Sequence, residues 1–203
     1  MQEESRVCLL TGFEPFGGDK TNASCEMLQP HSGQTNAGYR IVTARLPVVY
    51  DELAQPLHEA IEKHKPEIVV CFGLGGLLID VELLARNGYD LKQPLDNKGR
   101  PPPRAEILPG GQTEIPTQLP AAAILRALKD ARIGARESRD PGGYLCNECF
   151  YRLMALPPVP RKRGFVHVPA IGSPDPEGGT FTLEKLQEAV RIIVEQTARA
   201  DGR

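Results

Sequence analysis

Cys146 and His167 are the two residues of this chain whose types and positions could support nucleophilic catalysis. Cys146 follows Gly142 and Gly143 in the run SRDPGGYLCNECF, at the predicted start of a helix. Backbone N–H groups at a helix N-terminus favour a thiolate and can hold an oxyanion. His167 lies 21 residues later in the run GFVHVP, which predicts a strand. Such a pair is typical of a cysteine hydrolase, in which the imidazole acts as the base.

Two short motifs suggest other functions. Cys146 forms a C-x-x-C pattern with Cys149, which is compatible with a thiol redox protein, although it lies in the last third of the chain. No second ligand pair stands at a zinc-binding spacing, so we predict no metal. The GLGG run at 73–76 lacks the last glycine of a dinucleotide motif, since Leu78 occupies that position. A thiol redox function stays open as an interpretation, and nucleotide binding is not predicted.

Composition favours one soluble globular domain spanning residues 1–203. The chain is 40% hydrophobic and 25% charged, with a net charge of −2, which argues against a nucleic-acid partner. No apolar run has the length of a membrane span, and the polar start MQEESR does not resemble a secretory signal. The five cysteines are odd in number and fit a reducing compartment, so we expect a cytoplasmic protein with no membrane partner.

Alternating strand and helix patterns predict the scaffold for these residues. The predicted strands are 7–11, 39–46, 67–73, 135–138 and 164–169, and the segment 81–84 is either a strand or a tight connection. The predicted helices are 22–28, 51–63, 121–131, 146–155 and 182–200. This order favours an α/β fold, a three-layer α/β/α sandwich around a mostly parallel, mixed and twisted sheet. The segment 93–120 carries seven prolines and three glycines, so we predict a long loop there.

Aromatic residues next to the first predicted strand indicate a pocket. Phe13 and Phe16 belong to the run TGFEPFGG, directly beyond that strand. Ligands of open α/β sheets bind at the carboxyl ends of the strands. Together with Tyr144, these rings could wall a small apolar pocket beside Cys146.

Three separated motifs resemble those of the pyroglutamyl peptidase I family. They are TGFEPFGG followed by Asn22, the S-x-D-x-G-x-Y-L-C-N run at 138–147, and FVHVP. The resemblance extends from about residue 7 to the last predicted helix. It implies a cytosolic thiol protease that removes an N-terminal pyroglutamyl residue from peptides through a Cys–His–Glu triad, without a cofactor. Because microbial members are often homotetramers, it also implies a homo-oligomer.

The resemblance assigns roles to particular residues. Cys146 is the implied nucleophile, His167 the base, and Glu82, in the pattern E-x-x-x-x-N, the orienting acid, with Asp80 as its nearby competitor. Backbone groups around Leu145 are expected to recognise the lactam. The residues implied to bind the substrate are Phe13, Phe16, Asn22, Lys92, Tyr144 and Leu145.

The sequence also departs from the family pattern near the implied acid. The stretch between Gly73 and Glu82 is two residues shorter, and Leu74 stands where some members carry a polar residue. Lys92 falls where the family has an arginine proposed to assist the oxyanion, and lysine lacks its planar fork. Two alternatives to a peptidase stay open: the redox protein that the C-x-x-C motif suggests, and, because of the altered Glu82 loop, a catalytically impaired binder of pyroglutamyl N-termini.

Overall fold

The computed structural model describes residues 6–157 and 160–200, and a mixed sheet forms the centre of the molecule. The strands are β1 (Val7–Phe13), β2 (Thr35–Asn36), β3 (Tyr39–Leu46), β4 (Ile68–Leu74), β5 (Ile79–Glu82), β6 (Leu84–Arg86), β7 (Glu114–Pro116), β8 (Ala135–Ser138) and β9 (Lys162–Val168). The helices are α1 (Ala23–Glu26), α2 (Ala54–His64), α3 (Ala121–Asp130), α4 (Leu145–Met154) and α5 (Leu183–Arg199).

The central sheet has the strand order β2-β3-β1-β4-β9-β5-β8 and is mostly parallel. β3, β1, β4 and β9 run parallel to one another, whereas β5 runs antiparallel to β9 and β2 antiparallel to β3. The carboxyl ends of β1, β4 and β9 therefore share one edge, where an α/β sheet binds its ligands. The predicted α/β class with a mixed, mostly parallel sheet is confirmed.

Helices cover both faces of the sheet. Successive residues of β1 enter different apolar clusters, because side chains alternate across a strand: Leu10 packs with residues of α1, α3 and α5, and Leu9 with residues of α2 and α4. The sheet is buried on both sides, which explains why β1 and β4 are nearly continuous apolar runs. None of the helices within the described ranges is long and apolar enough to cross a membrane.

Two of the differences from the predicted elements concern β5 and the proline-rich segment. β5 covers Ile79–Glu82 rather than 81–84, because apolar residues flank it on both sides, at 77–78 and 83–85, and leave its boundaries unmarked. The proline-rich segment 93–120 contains β7, which pairs with β6 beside the main sheet. It is also tied to the body of the protein: the Asp96 carboxylate accepts hydrogen bonds from the backbone N–H of Tyr50 (3.1 Å) and Lys98 (2.8 Å), and Arg104 forms an ion pair with Asp51.

Candidate active site

The N-terminal turn of α4 presents Cys146. The helix starts at Leu145, one residue before the predicted start, so Cys146 is its second residue and is half-buried. The first intrahelical bond runs from Glu148 N to Tyr144 O (3.1 Å), and no side chain caps this end of the helix. The N–H groups of Leu145 and Cys146 therefore have no intrahelical partner. They are available to stabilise negative charge at the thiol and on a bound oxygen.

Asn147 fixes this helix start against β6. Its Oδ1 accepts a hydrogen bond from Arg86 N (3.0 Å), and its Nδ2 donates to the carbonyl oxygens of Arg86 and Gly88 (both 2.9 Å). The side chain is fully buried, so these three bonds satisfy it without water. The residue next to the thiol thus holds the first turn of α4 in place.

His167, near the end of β9, is the histidine whose side chain interacts with this thiol. Its Nδ1 lies 2.8 Å from Glu82 Oε1, and since an ionised carboxylate only accepts hydrogen bonds, Nδ1 is the donor. β5 pairs antiparallel with β9, and Asp80 lies opposite His167. Glu82 is two residues further along β5, so it lies on the same face of the sheet as Asp80 and His167. This pairing leaves Nε2 as the ring nitrogen available to a substrate.

Asp80 has a different partner. Its carboxylate receives two hydrogen bonds from the Arg136 guanidinium, from Nε at 2.7 Å and from Nη2 at 3.1 Å. The fork of an arginine matches a carboxylate in this way and holds it in one orientation. Of the two acidic residues considered from the sequence, Glu82 is the one that contacts His167.

The surroundings of His167 favour a charged imidazole. Burial lowers its pKa, but its interactions with the Cys146 side chain and the Glu82 carboxylate raise it by more, and the net result is a pKa of about 10. The ring is therefore protonated at neutral pH, and an imidazolium beside the thiol can donate a proton to a leaving group. The site can thus supply both a nucleophile and a proton donor.

Glycines at the end of β4 leave room for this pair. A Cβ on Gly73 would lie 2.7 Å from Cys146 Sγ and 2.7 Å from Phe165 Cζ. A Cβ on Gly75 would lie 2.8 Å from His167 Cδ2. The GLGG run therefore contacts the thiol and the imidazole closely, a role that the sequence pattern alone did not reveal.

A cleft opens beside the thiol, with about 280 Å³ of empty space that includes open solvent, and its walls are mostly apolar. It is lined by Phe13, Phe16, Asn22, Val48, Leu74, Tyr144, Leu145 and Cys146. Tyr144 is held by its O–H, which donates to Leu95 O (3.2 Å) in the proline-rich segment, and by the ring of Tyr50, edge-on at 5.6 Å. The Phe16 ring faces it at 6.1 Å. A small, largely apolar ligand fits such a space.

Asn22 contributes the polar group of the cavity wall. Its Oδ1 accepts hydrogen bonds from Ser24 N (3.0 Å) and Ser24 Oγ (2.8 Å), which caps α1. Its Nδ2 donates one hydrogen bond to Glu14 O (3.0 Å). An amide nitrogen carries two donor hydrogens, so one remains for a ligand.

Comparison with known proteins identifies the family. A family model described as pyroglutamyl peptidase matches residues 6–200. The chain belongs to the pyroglutamyl peptidase family of cysteine peptidases. It is 35% identical to a pyrrolidone-carboxylate peptidase of Bacillus licheniformis over 91% of this chain and 88% of that protein. It is also 35% identical to one of Klebsiella pneumoniae, over 93% of each.

Solved structures of the same family share the fold. The pyroglutamyl peptidase I of Bacillus amyloliquefaciens superposes with a TM-score of 0.87 at 31% identity, over 97% of this chain and 96% of that chain. The pyrrolidone carboxyl peptidase of Thermus thermophilus superposes with a TM-score of 0.83 at 32% identity, over 94% and 100%. Family membership thus rests on almost the whole chain.

Lys92 stands apart from the other residues that the resemblance to pyroglutamyl peptidases implicates. The remaining implied substrate-binding residues line the cavity, whereas Lys92 is exposed and does not belong to its walls. Its backbone N–H donates to Asp90 Oδ1 (3.0 Å), in a local turn. Val48, in contrast, lines the cavity although the sequence motifs gave no reason to include it.

Cys149, the second cysteine of the C-x-x-C pattern, belongs to the core of this pyroglutamyl peptidase fold. It is fully buried, and its thiol contacts that of Cys71 on β4. Burial raises the pKa of Cys149, so the thiol stays protonated and unreactive. All five cysteines are free thiols. Among the residues for which the structure is described, no cluster of histidine, cysteine and acidic side chains could hold a metal ion.

Proposed function

We propose that this chain hydrolyses the bond after an N-terminal pyroglutamyl residue, with Cys146 as nucleophile, His167 as acid and base, and Glu82 as the orienting acid. The observation that carries the proposal is the convergence of the three groups: Glu82 Oε1 holds His167 Nδ1 at 2.8 Å, and the imidazole interacts with the thiol. The thiol in turn forms part of the wall of the apolar cavity.

The cavity suits the lactam ring of pyroglutamate. The ring is uncharged, so it needs apolar walls and a few hydrogen bonds rather than an ion pair. Phe13, Phe16 and Tyr144 supply the walls. The remaining Asn22 donor and backbone groups at Leu145 are available to the polar atoms of the lactam. The proposed substrates are therefore peptides with a cyclised N-terminus.

The reaction follows from the positions of these groups. The Cys146 thiolate attacks the carbonyl carbon that links pyroglutamate to the next residue, and free N–H groups at the start of α4 stabilise the resulting oxyanion. The C–N bond then breaks as His167 donates its Nε2 proton to the departing amine, which leaves a thioester. Water attacks this thioester while neutral His167 takes its proton, and pyroglutamate is released. Glu82 keeps the ring in one tautomer and stabilises the imidazolium.

Further parts of the proposal concern the setting of the enzyme. Water is the co-substrate, and no cofactor enters the reaction. The five free thiols support a cytoplasmic, reducing location. The homo-oligomer implied by the resemblance stays a prediction. Lys92 receives no part in this mechanism, because its exposed side chain does not line the cavity.

A turnover assay with matched substrates tests the proposal. We expect the protein to release aminomethylcoumarin from its pyroglutamyl conjugate, and not from the prolyl or glutamyl conjugates, since proline lacks the lactam carbonyl and glutamate is charged. Cys146→Ala should abolish this release and leave the circular-dichroism spectrum unchanged. Binding of the pyroglutamyl conjugate without any release would identify a binder that does not cleave, and full activity of the Cys146→Ala variant would remove the thiol from the mechanism.

A further inference from the structure

The connection between β4 and β5 passes over the end of the strand that carries His167. β9 lies between β4 and β5 in the sheet, so residues 75–78, which join the two, must cross the carboxyl end of β9. The crossing is close, because Gly75 N donates a hydrogen bond to Val168 O (2.9 Å). The short connection thus lies directly beside the imidazole.

Two apolar side chains project into solvent from this edge. β4 and β9 end in register, with Leu74 opposite Val168, and Leu77 and Ile171 each lie three residues beyond these partners. Leu77 is 78% exposed and Ile171 43%, the former being the highest value for a large apolar residue in the described part of the chain. We call these two side chains the apolar rim. No charged residue occurs in either connection, 74–78 or 169–173.

The free nitrogen of His167 faces the side of the site where the apolar rim begins. Nδ1 is bonded to Glu82, so Nε2 must serve the departing amine, and Nε2 lies 3.4 Å from the position of a Cβ on Gly75. The cavity for the pyroglutamyl ring is formed instead by residues such as Phe16 and Tyr144. The leaving part of a peptide whose ring occupies that cavity must reach Nε2, and residues 75–78 begin beside this nitrogen.

We infer that the apolar rim is the contact surface for the residue that follows pyroglutamate, and that it favours a bulky aliphatic or aromatic side chain there. The inference rests on the proposed function. A leucine or phenylalanine side chain after pyroglutamate would cover apolar area of Leu77 and remove it from water, which is favourable. A charged or amide side chain would gain no such stabilisation. Leu77 is then a specificity-determining residue that acts on the leaving part of the substrate.

The test compares substrates that differ only in the residue after pyroglutamate. We would measure kcat/KM for pyroglutamyl-leucine amide and pyroglutamyl-glutamine amide with the unmodified protein, Leu77→Ser and Ile171→Ser. Leu91→Ser is the matched control, since Leu91 is 60% exposed but lies in another connection. Loss of one partly covered leucine contact should lower the leucine-to-glutamine ratio of kcat/KM about fivefold in Leu77→Ser. The smaller exposed area of Ile171 should give a smaller reduction.

Each possible outcome supports or overturns the inference about the apolar rim. A lowered ratio in Leu77→Ser, with hydrolysis of the glutamine substrate within about twofold of the unmodified protein, supports the inference. An unchanged ratio, or an equal reduction in Leu91→Ser, overturns it. Sedimentation that shows an assembly lost in Leu77→Ser, with the ratio unchanged, would mean that a second copy covers the rim. If the unmodified protein cleaves neither substrate, the proposed function itself fails, which is a distinguishable result.

Discussion

Replacing Gly73 by alanine tests how closely β4 must approach the thiol. Gly73 has no need of a left-handed backbone, so the substitution adds one methyl group and leaves backbone conformation available to alanine. That methyl carbon would lie 2.7 Å from Cys146 Sγ and 2.7 Å from Phe165 Cζ. Both contacts are shorter than real carbon atoms adopt, so either the thiol or the ring must move.

The size of the effect follows from these distances. Ordinary contact begins at 3.4 Å, so the atoms must separate by about 0.7 Å. A misplacement of about 1 Å in a reacting group costs on the order of a hundredfold in rate, so we expect kcat/KM to fall roughly tenfold to a hundredfold. The added methyl group also overpacks the core and should lower the free energy of unfolding by about 1–3 kcal/mol. A domain of ordinary stability stays folded after such a loss.

The assay combines hydrolysis of a pyroglutamyl fluorogenic substrate with the rate of thiol alkylation by iodoacetamide. Gly88→Ala is the control, because a Cβ there meets its nearest neighbour, Ala105 O, at 3.7 Å, which is ordinary contact. Gly75→Ala is a companion variant, which should displace the imidazole of His167 rather than the thiol. The reasoning is wrong if Gly73→Ala retains the kcat/KM of the Gly88→Ala control, with the same alkylation rate.

Three further predictions concern the acidic residues and the second cysteine. The Cys146 side chain and, after it, the Glu82 carboxylate raise the pKa of His167 to about 10. Glu82→Gln removes the second of these contributions, so the alkaline limb of kcat/KM should move to lower pH; an unmoved limb would contradict this. Asp80→Asn breaks an ion pair with Arg136 and should destabilise the protein by about 1 kcal/mol while leaving that limb in place, which a chemical denaturation curve and the same pH profile would check. Cys149→Ser places a hydroxyl in the apolar core and should lower the free energy of unfolding by about 1–3 kcal/mol with kcat/KM nearly unchanged, whereas loss of activity without loss of stability would favour a redox role.

The regular elements of the fold were largely predictable from local patterns. β3 (Tyr39–Leu46) and β8 (Ala135–Ser138) have the predicted boundaries, since each is a short extended run between clear breaks. The start of α4 at Leu145 is one residue from its predicted position, because the glycines before it mark where the helix begins. Local sequence therefore placed the thiol and the imidazole on the correct elements.

The features that depend on the order of strands in space were harder to predict. The position of β5 next to β9 brings Glu82 to His167, while Arg136 binds Asp80. The apolar pattern of the sequence does not indicate this order of strands. The close approach of Gly73 to the thiol likewise arises only when β4 and α4 meet. The exposed position of Lys92 reflects a local turn, which motif alignment does not reveal.

The most direct test of the central claim is the detection of the acyl-enzyme. The protein would be mixed with a pyroglutamyl substrate, quenched in acid within the first turnover, digested and analysed by mass spectrometry. We predict a pyroglutamyl group in thioester linkage on Cys146 and on no other cysteine, which is absent from Cys146→Ala. Turnover of the substrate with no covalent adduct on Cys146, or an adduct on Cys149 instead, would contradict the account.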